Sequence, residues 1–246
     1  MRLNVVIPVY NEGERLLSLL QQLVGSLNPD DKLVVVDASD NNIASDLSSH
    51  SIFQQDQDNV FYLKSAKGRA VQMNAGAEFL LSQGSSFQEL DLLWFLHCDS
   101  GLSDGHFKYL RALDKTQVWG RFDIQLVLEQ QSNGSKTDFP FPIISKFMNF
   151  RSRLTQVMTG DQGIFIRSDI FQQLNGYADI PLMEDVDISK RLRVLAKADC
   201  DGPVLQTSAR RWQQQGWVKT ILLMWQLRLK YWLGISPEKL VKKYYG

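Results

Sequence analysis

A carboxylate at the end of a buried strand is the first candidate for chemistry in this sequence. The stretch LLWFLHCDSGL, residues 92–102, begins with five apolar residues and continues into His97, Cys98, Asp99 and Ser100. Such an apolar run predicts a strand that is buried on both faces. Ligands of open α/β sheets bind outside the carboxyl ends of the strands, so Asp99 is a candidate ligand group. An Asp-Ser-Gly turn that only ends the strand explains the same residues equally well.

Charged side chains also follow two earlier predicted strands. Asp37 and Asp40 come after the run KLVVVDA (32–38), and a Lys-Gly-Arg segment (67–69) comes after NVFYLKS (59–65). A glycine between two cations at the start of a helix is suited to binding a diphosphate. Capping or turn formation explains the aspartates, and a solvated turn explains the basic segment. The repetition of such groups at successive strand ends favours a binding edge.

Two neighbouring acids begin a later predicted helix. Glu184 and Asp185 follow Pro181 and precede a helical pattern that runs to residue 197. Acids in the first turn interact favourably with the helix dipole, which explains them without any catalytic role. Alternatively, one of them is a general base, provided that it reaches the proton of an acceptor. Neighbours on a helix face different ways, so only one of the two is expected to point into a cleft.

Two further segments have compositions typical of ligand loops. The segment TSARRWQQQGW (207–217) places Arg210, Arg211 and Trp212 together, which suits a phosphate and the flat face of a sugar or base. A surface turn with one buried Trp is the alternative. The segment TGDQGIF (159–165) is rich in glycine, as in loops that approach a ligand with their backbone.

The elements that must position these residues alternate between strand and helix. Strands are predicted at 3–9, 32–38, 59–65 and 92–96, with a leucine-patterned helix at 11–27 and another after the third strand. This alternation predicts a parallel sheet with helices on its faces. The second half of the chain departs from that pattern. Its predicted elements are a strand at 117–129, a loop at 130–142, a helix at 144–158, a strand at 163–168 and a helix at 183–197.

The composition excludes several classes of protein. The 246 residues include 27 basic and 27 acidic side chains, so no net charge draws the chain to nucleic acid. Cys98 and Cys200 show neither metal-site spacing nor a disulfide framework, which favours a reducing compartment. A strand predicted from residue 3 leaves no signal peptide, and the apolar runs are too short to span a membrane. A cytoplasmic protein is expected.

Several of these segments, in this order, match the motifs of one known family. The sequence resembles the family 2 glycosyltransferases with the GT-A fold, and within them the small bacterial branch called transferase 2, rSAM/selenodomain-associated. The resemblance spans residues 5–212. It rests on VVIPVYNE (5–12), VVDASD (35–40), KGRAVQMNAGA (67–77), LHCDS (96–100), TGDQGIF (159–165), PLMEDVDISKRL (181–192) and TSARRW (207–212).

The resemblance implies a fold and a division of the chain. The fold is the α/β fold of nucleotide-diphospho-sugar transferases, a mostly parallel, Rossmann-like sheet flanked by helices, with further helices at the C-terminus. Residues 1–216 would form the catalytic domain. Residues 217–246 would form an amphipathic helical extension, packed on the domain, on a partner subunit or on a membrane surface.

The resemblance also assigns residues to the donor. Pro8, Tyr10 and Glu12 would line the nucleotide cleft, with Asp37 at the base or ribose. Lys67 and Arg69 would lie near the uracil or the diphosphate, with Asn74 supporting their loop. The late pair Arg211 and Trp212 would lie near the diphosphate or the acceptor.

The implied chemistry is the transfer of a sugar from a nucleotide-diphosphate donor, expected to be a UDP-sugar, to an acceptor hydroxyl with inversion. Asp99 would hold Mg²⁺ or Mn²⁺ at the diphosphate. Asp185 would be the catalytic base, with Glu184 beside it. The family's first acid is replaced by His97, as in the branch that the chain resembles, and His97 is either a metal ligand or a packed imidazole. The acceptor is open: a saccharide, a lipid or a small molecule.

The C-terminal extension leaves two alternatives. Residues 217–246 combine three tryptophans with six Lys or Arg and a single acid, Glu238. Such a segment suits the interface of a membrane, which would place the protein at its inner face. Packing against the catalytic domain or a twin subunit, in a homodimer, explains the apolar side chains equally well.

Two other functions fit the same nucleotide fold. A nucleotidyltransferase that makes nucleotide-sugars is one, although such enzymes carry a glycine-rich basic loop after the first strand, where this chain has PVYNEGERL (8–16). A nucleotide-sugar-binding protein without turnover is the other, because Asp99 is a single carboxylate.

Overall fold

The computed structural model of the protein describes residues 1–12, 14–39, 49–53, 59–83, 91–128 and 140–245. Asp40 lies outside the described residues, as does most of the loop predicted at 130–142. All structural statements below concern the described ranges.

The main sheet begins with four parallel strands. These are β1 (Leu3–Val9), β2 (Lys32–Asp37), β3 (Val60–Lys64) and β4 (Leu92–Phe95), and β5 (Trp119–Gly120), β6 (Ile124–Val127), β7 (Phe165–Arg167) and β8 (Leu205–Ser208) follow along the chain. The spatial order in this sheet is β3-β2-β1-β4-β7-β5, and β7 runs antiparallel to β4 and β5. The predicted, mostly parallel α/β sheet is confirmed.

The two faces of the sheet are covered by helices from the first half of the chain. The helices are α1 (Glu14–Val24) and α2 (Arg69–Ser82). Because side chains alternate along a strand, Val5 and Ile7 of β1 pack in the cluster that contains the leucines of α1, whereas Val6 packs in the cluster that contains α2. Burial of both faces explains why β1 reads as a continuous apolar run.

The strand predicted at 117–129 is wrong as a single element. It is divided into β5 in the main sheet and β6, which pairs in parallel with β8 in a separate two-stranded sheet. Between them, the amides of Arg121 and Phe122 donate to the carbonyls of Asp199 (2.9 Å) and Gln162 (2.9 Å), which belong to loops. The backbone therefore leaves the main sheet at this point, a bend that alternation of apolar residues does not reveal.

Seven further helices lie within the described residues. They are α3 (Asp104–Ala112), α4 (Phe141–Thr155), α5 (Ser168–Gln173), α6 (Glu184–Leu195), α7 (Arg210–Gln215), α8 (Trp217–Trp232) and α9 (Pro237–Tyr245). The helix predicted at 144–158 begins and ends earlier, because Gln156 adopts a left-handed conformation (φ 55°) that terminates α4.

The C-terminal helices fold back onto the rest of the chain. Leu227 of α8 and Leu240 of α9 form a buried cluster with Met183 and Val186, at the start of α6. The opposite surface of α8 leaves Leu222, Trp225 and other large apolar side chains exposed. Among the described helices, none has the length and hydropathy needed to cross a membrane. Contact with a membrane or a second subunit stays a prediction.

Candidate active site

A polar cavity of about 330 Å³ opens beyond the carboxyl end of β4. Its walls come from the turn after β4, the start of α2, the 3₁₀ turn Gly160–Gln162, the start of α6 and the helices α7, α8 and α9. Of the residues predicted for the site, it brings together Glu12, Arg69, Asp99, Glu184, Asp185, Arg211 and Trp212.

Asp99 lies in a tight turn that follows β4. The amide of Ser100 donates a hydrogen bond to the carbonyl of His97 (3.1 Å), which closes the turn. Asp99 also lines the cavity, so both interpretations of the sequence, a turn and a candidate ligand group, describe this residue. The Oδ1 atom of Asp99 is buried and has no hydrogen-bond partner among the described residues. Burial and the nearby carboxylate of Asp161 raise the pKa of Asp99. This carboxylate therefore lacks a counterion.

Asp161 lies in a similar setting, although the charges of Arg69 and Arg151 attract it. It lines the cavity, its Oδ1 atom is also buried without a hydrogen-bond partner in the described structure, and burial raises its pKa. The sequence indicated its loop but gave Asp161 itself no role. Two hard carboxylate oxygens in one polar cavity fit Mg²⁺ or Mn²⁺, which typically take one or two carboxylates and complete their coordination with phosphate oxygens and water. No cluster of three or more His, Cys, Asp or Glu side chains in the described ranges could hold a metal ion.

Arg69 crosses the middle of the cavity. It begins α2, directly after Gly68, whose φ of 149° favours glycine. Its guanidinium contacts the Nε2 atom of His97, and its Nε atom lies 3.6 Å from Oε1 of Glu184. It passes so close over Gly160 that any side chain there would collide with it.

The charges around Arg69 fix its protonation and that of His97. Burial alone would lower the pKa of Arg69, but the carboxylates of Glu184, Asp185 and Asp161 outweigh it and the pKa is raised. Burial and the charge of Arg69 hold the pKa of His97 well below its usual value. His97 is therefore a neutral imidazole that contacts an arginine, a partner that the sequence did not predict.

Glu184 and Asp185 both line the cavity, contrary to the expectation that only one would. The cavity lies at the end of α6 rather than along its side, so adjacent residues of the first turn border it together. Oδ2 of Asp185 accepts a hydrogen bond from the Gly160 amide (3.1 Å). Burial, and then the charge of Asp185, raise the pKa of Glu184.

The late Arg-Trp element forms another wall. Arg210 is paired with Glu12 at 2.8 Å. Arg211 donates a hydrogen bond to the hydroxyl of Tyr244, and its guanidinium lies 4.0 Å from the centre of that ring. The C-terminal helix α9 therefore contributes directly to the cavity.

The other residues predicted for the donor lie outside this cavity. The Nζ atom of Lys67 is 3.8 Å from the centre of the Tyr10 ring, near the carboxyl end of β1. Asp37 is buried and accepts hydrogen bonds from the Ser39 amide and the Tyr62 hydroxyl, both 2.8 Å long. Asn74 pairs with the backbone of Tyr177, on a different side of α2, and Pro8 does not line the cavity.

An apolar cavity of about 440 Å³ adjoins the polar one. It lies between α4 and α8, and its lining includes Ile143, Ile144, Phe147, Trp217, Ile221 and Trp225. The two cavities share a wall made of Met148, Thr159, Trp212, Met224 and Arg228.

Two arginines of this region were missed from the sequence. Arg151 lines the apolar cavity and Arg228 lines both. A signal for Arg228 exists: it lies seven residues after Ile221 and four after Met224, on the apolar face of α8. A cation on that face departs from the pattern of an ordinary packed helix.

Comparison with known proteins identifies the fold and the family. S. aureus TarS in complex with UDP-GlcNAc matches 85% of this chain and 58% of its own, with 13% identity and a TM-score of 0.56. The mannosyltransferase PcManGT from Pyrobaculum calidifontis, in complex with GDP-Man and Mn²⁺, matches 83% of this chain and 56% of its own, with 14% identity and a TM-score of 0.58. This chain thus spans less than two thirds of either protein. The fold is the GT-A glycosyltransferase fold.

The family follows from the sequence match. The model of glycosyl transferase family 2 matches residues 4–174. The chain belongs to this family. A search of curated proteins gave no match.

Proposed function

We propose that the protein transfers a sugar from a UDP-sugar to an acceptor hydroxyl with inversion at the anomeric carbon. Support comes from the family membership, and from neighbours of the same fold whose structures contain UDP-GlcNAc or GDP-Man. We further place the chain in the small bacterial branch that its motifs resemble, and in the cytoplasm.

The observation that carries the proposal is a pair of buried carboxylates, each with one oxygen that has no hydrogen-bond partner among the described residues. Asp99 and Asp161 each present an unpartnered oxygen in the polar cavity. When bound, a divalent cation would neutralise charge on the leaving diphosphate. In this proposal Asp99 and Asp161 would hold that cation, and Arg210 and Arg211, which line the same cavity, would bind the diphosphate.

Asp185 is the proposed base. It lines the polar cavity, its charge attracts Arg228 at the wall shared with the apolar cavity, and its position is fixed by the amide of Gly160. In the reaction the acceptor oxygen forms a bond to the anomeric carbon, the bond from that carbon to the UDP oxygen breaks, and UDP leaves with the electron pair. Asp185 receives the acceptor proton. Glu184, close to Arg69 and with a raised pKa, holds the arginine in position.

A donor screen tests the proposal. Release of UDP from a panel of UDP-sugars is measured with the purified protein, Mn²⁺ and a panel of acceptor alcohols, and the anomeric configuration of the glycoside formed is read by NMR. We expect release with one class of UDP-sugar, and a product of inverted configuration. A retained configuration would contradict the mechanism, and UDP binding without release from any donor would favour a binding protein without turnover.

A further inference from the structure

The apolar cavity is built to hold a chain rather than to fill the core. Ile143, Phe147, Trp217 and Trp225 line it, yet each is substantially exposed. Burial of apolar surface stabilises folding, so large side chains left open on two facing helices mark a binding groove. Because the groove shares a wall with the polar cavity, a molecule bound in it extends towards Asp185.

Two arginines bring positive charge to the junction of the two cavities. In the part of the chain that the structure describes, Arg228 makes no hydrogen bond and no ion pair; it has only longer-range attraction to Asp185 and Asp161. Arg151 donates one hydrogen bond, to the carbonyl of Val157 (3.0 Å). Burial and the neighbouring charge of Arg228 lower the pKa of Arg151 to about 10, against the attraction of Asp161 and Asp185, so Arg151 remains charged at neutral pH.

Two partly buried cations of like charge at the end of an apolar groove require an anion. Desolvation of an arginine is unfavourable unless a partner accepts its hydrogen bonds. Arg210 and Arg211 line only the polar cavity, whereas Arg228 lines both and Arg151 only the apolar one. An anion that contacts both Arg151 and Arg228 therefore lies at the junction of the two cavities, and its contact with Arg151 distinguishes it from the donor diphosphate.

We propose that the acceptor is a lipid with an anionic head group, whose hydrocarbon chain lies in the apolar groove and whose phosphate binds Arg151 and Arg228. A hydroxyl of the head group then lies beside Asp185 and attacks the anomeric carbon; the proton passes to Asp185 and UDP leaves. This inference rests on the proposed function, because it names the acceptor class of the same reaction.

Three ligands separate the contributions of the head group and the chain. Lauroyl lysophosphatidate has a hydroxyl, a phosphate and a chain, monolauroylglycerol lacks the phosphate, and glycerol 3-phosphate lacks the chain. Binding is measured below the micellar concentration by tryptophan fluorescence, since Trp212, Trp217 and Trp225 line the groove. We expect lysophosphatidate to bind at least about tenfold more tightly than either fragment.

Matched variants locate the site. Arg151→Gln, at a residue that lines only the groove, should weaken lysophosphatidate about tenfold and leave monolauroylglycerol unchanged. Trp225→Ser should weaken both lipids, whereas Trp232→Ser, on the same helix and outside the groove, should weaken neither; the two tryptophans are 57% and 74% exposed. Equal loss in both tryptophan variants would show adsorption to the surface and overturn the proposal, as would equal affinity for glycerol 3-phosphate and lysophosphatidate.

UDP titration distinguishes this proposal from the proposed function. Wild type and all three variants should bind UDP with the same affinity, which also shows that they are folded. Retained UDP binding with no affinity for either lipid overturns the lipid acceptor and leaves the sugar transfer intact. Lipid binding without UDP binding overturns the sugar transfer, and with it this inference.

Discussion

The two adjoining cavities differ in every property that selects a ligand. The polar one is lined by carboxylates and arginines from the ends of strands and helices, and several of its charges already have partners, such as Arg210 with Glu12. The apolar one lies between the sides of α4 and α8, and its aromatic residues remain exposed. In the proposed function, the difference assigns the charged donor and its metal to the polar cavity, and an acceptor with a substantial apolar part to the other.

Asp185→Asn is expected to give the largest effect, at the border of the two cavities. Removal of a general base lowers kcat by about 10²–10⁴-fold, and UDP affinity should be unchanged because the substitution is nearly isosteric. The measurement is steady-state release of UDP with the donor and acceptor that the screens select. Asp187→Asn is the control, since Asp187 is on the same helix but pairs with Arg191 at 2.7 Å. Loss of turnover in Glu184→Gln, with Asp185→Asn active, would reverse the two roles.

Asp123→Asn tests the support of the apolar cavity. The fully buried Arg121 contacts Asp123 and donates to the carbonyl of Asn149 in α4 (3.1 Å). In the variant, the buried charge of Arg121 no longer has the carboxylate of Asp123 beside it, so the free energy of unfolding at pH 7 should fall by about 3 kcal/mol. Binding of lipid in the groove should weaken more than binding of UDP, because most of the α4 residues that line a cavity line the apolar one alone.

The cost of Asp123→Asn should depend on pH. Burial alone would raise the pKa of Asp123, but hydrogen bonds and charge from Arg153 and Arg121 outweigh it and the pKa is lowered. A lowered pKa stabilises the folded state above the unfolded value, about 3.9, and that contribution is lost as the pH falls through the folded pKa. The free energies of unfolding of wild type and variant, measured with urea, should converge as the pH falls from 5 towards the acid limit of folding. A constant difference over that range would contradict the assignment. Asp201→Asn, at an exposed acid, is the control.

Gly76→Ala tests the polar side with a smaller effect. A Cβ at residue 76 would lie 2.6 Å from Cγ1 of Val6 and 2.7 Å from Cγ2 of Val36, so α2 must move away from the sheet. We expect a loss of about 2 kcal/mol in the free energy of unfolding. Because α2 begins with Arg69, UDP binding should weaken while lipid binding is retained. Gly25→Ala meets only atoms at 3.7 Å or more and should change stability little.

The first half of the fold was predictable because its signals are local. The apolar runs of β1 to β4 and the leucine spacing of α1 report burial directly, and they gave the parallel sheet and the edge at which Asp99 lies. The division of 117–129 between two sheets depends on hydrogen bonds to Asp199 and Gln162, which are distant in sequence. Local patterns contain no information about such partners.

The candidate site was predictable only in part, for the same reason. The motifs indicated Asp99, Arg69, Glu184 and Asp185, which all line the polar cavity. They also assigned Asp37 and Asn74 to the donor site, but these two residues do not line that cavity. Arg151 and Arg228 become significant only when α8 folds back against α4 and forms a groove. Their role depends on tertiary packing, and the unexpected cation on an apolar helix face was the one sequence signal.

Calorimetric titration of UDP tests the division of labour between the cavities most directly. It is carried out with Mn²⁺ and with a chelator, for wild type, Asp99→Ala and Arg151→Gln, since Arg151 lines only the apolar cavity. The account predicts binding that requires Mn²⁺, is lost in Asp99→Ala and is unchanged in Arg151→Gln. Absence of UDP binding in every condition, or equal loss in Arg151→Gln, would contradict the assignment of the donor to the polar cavity.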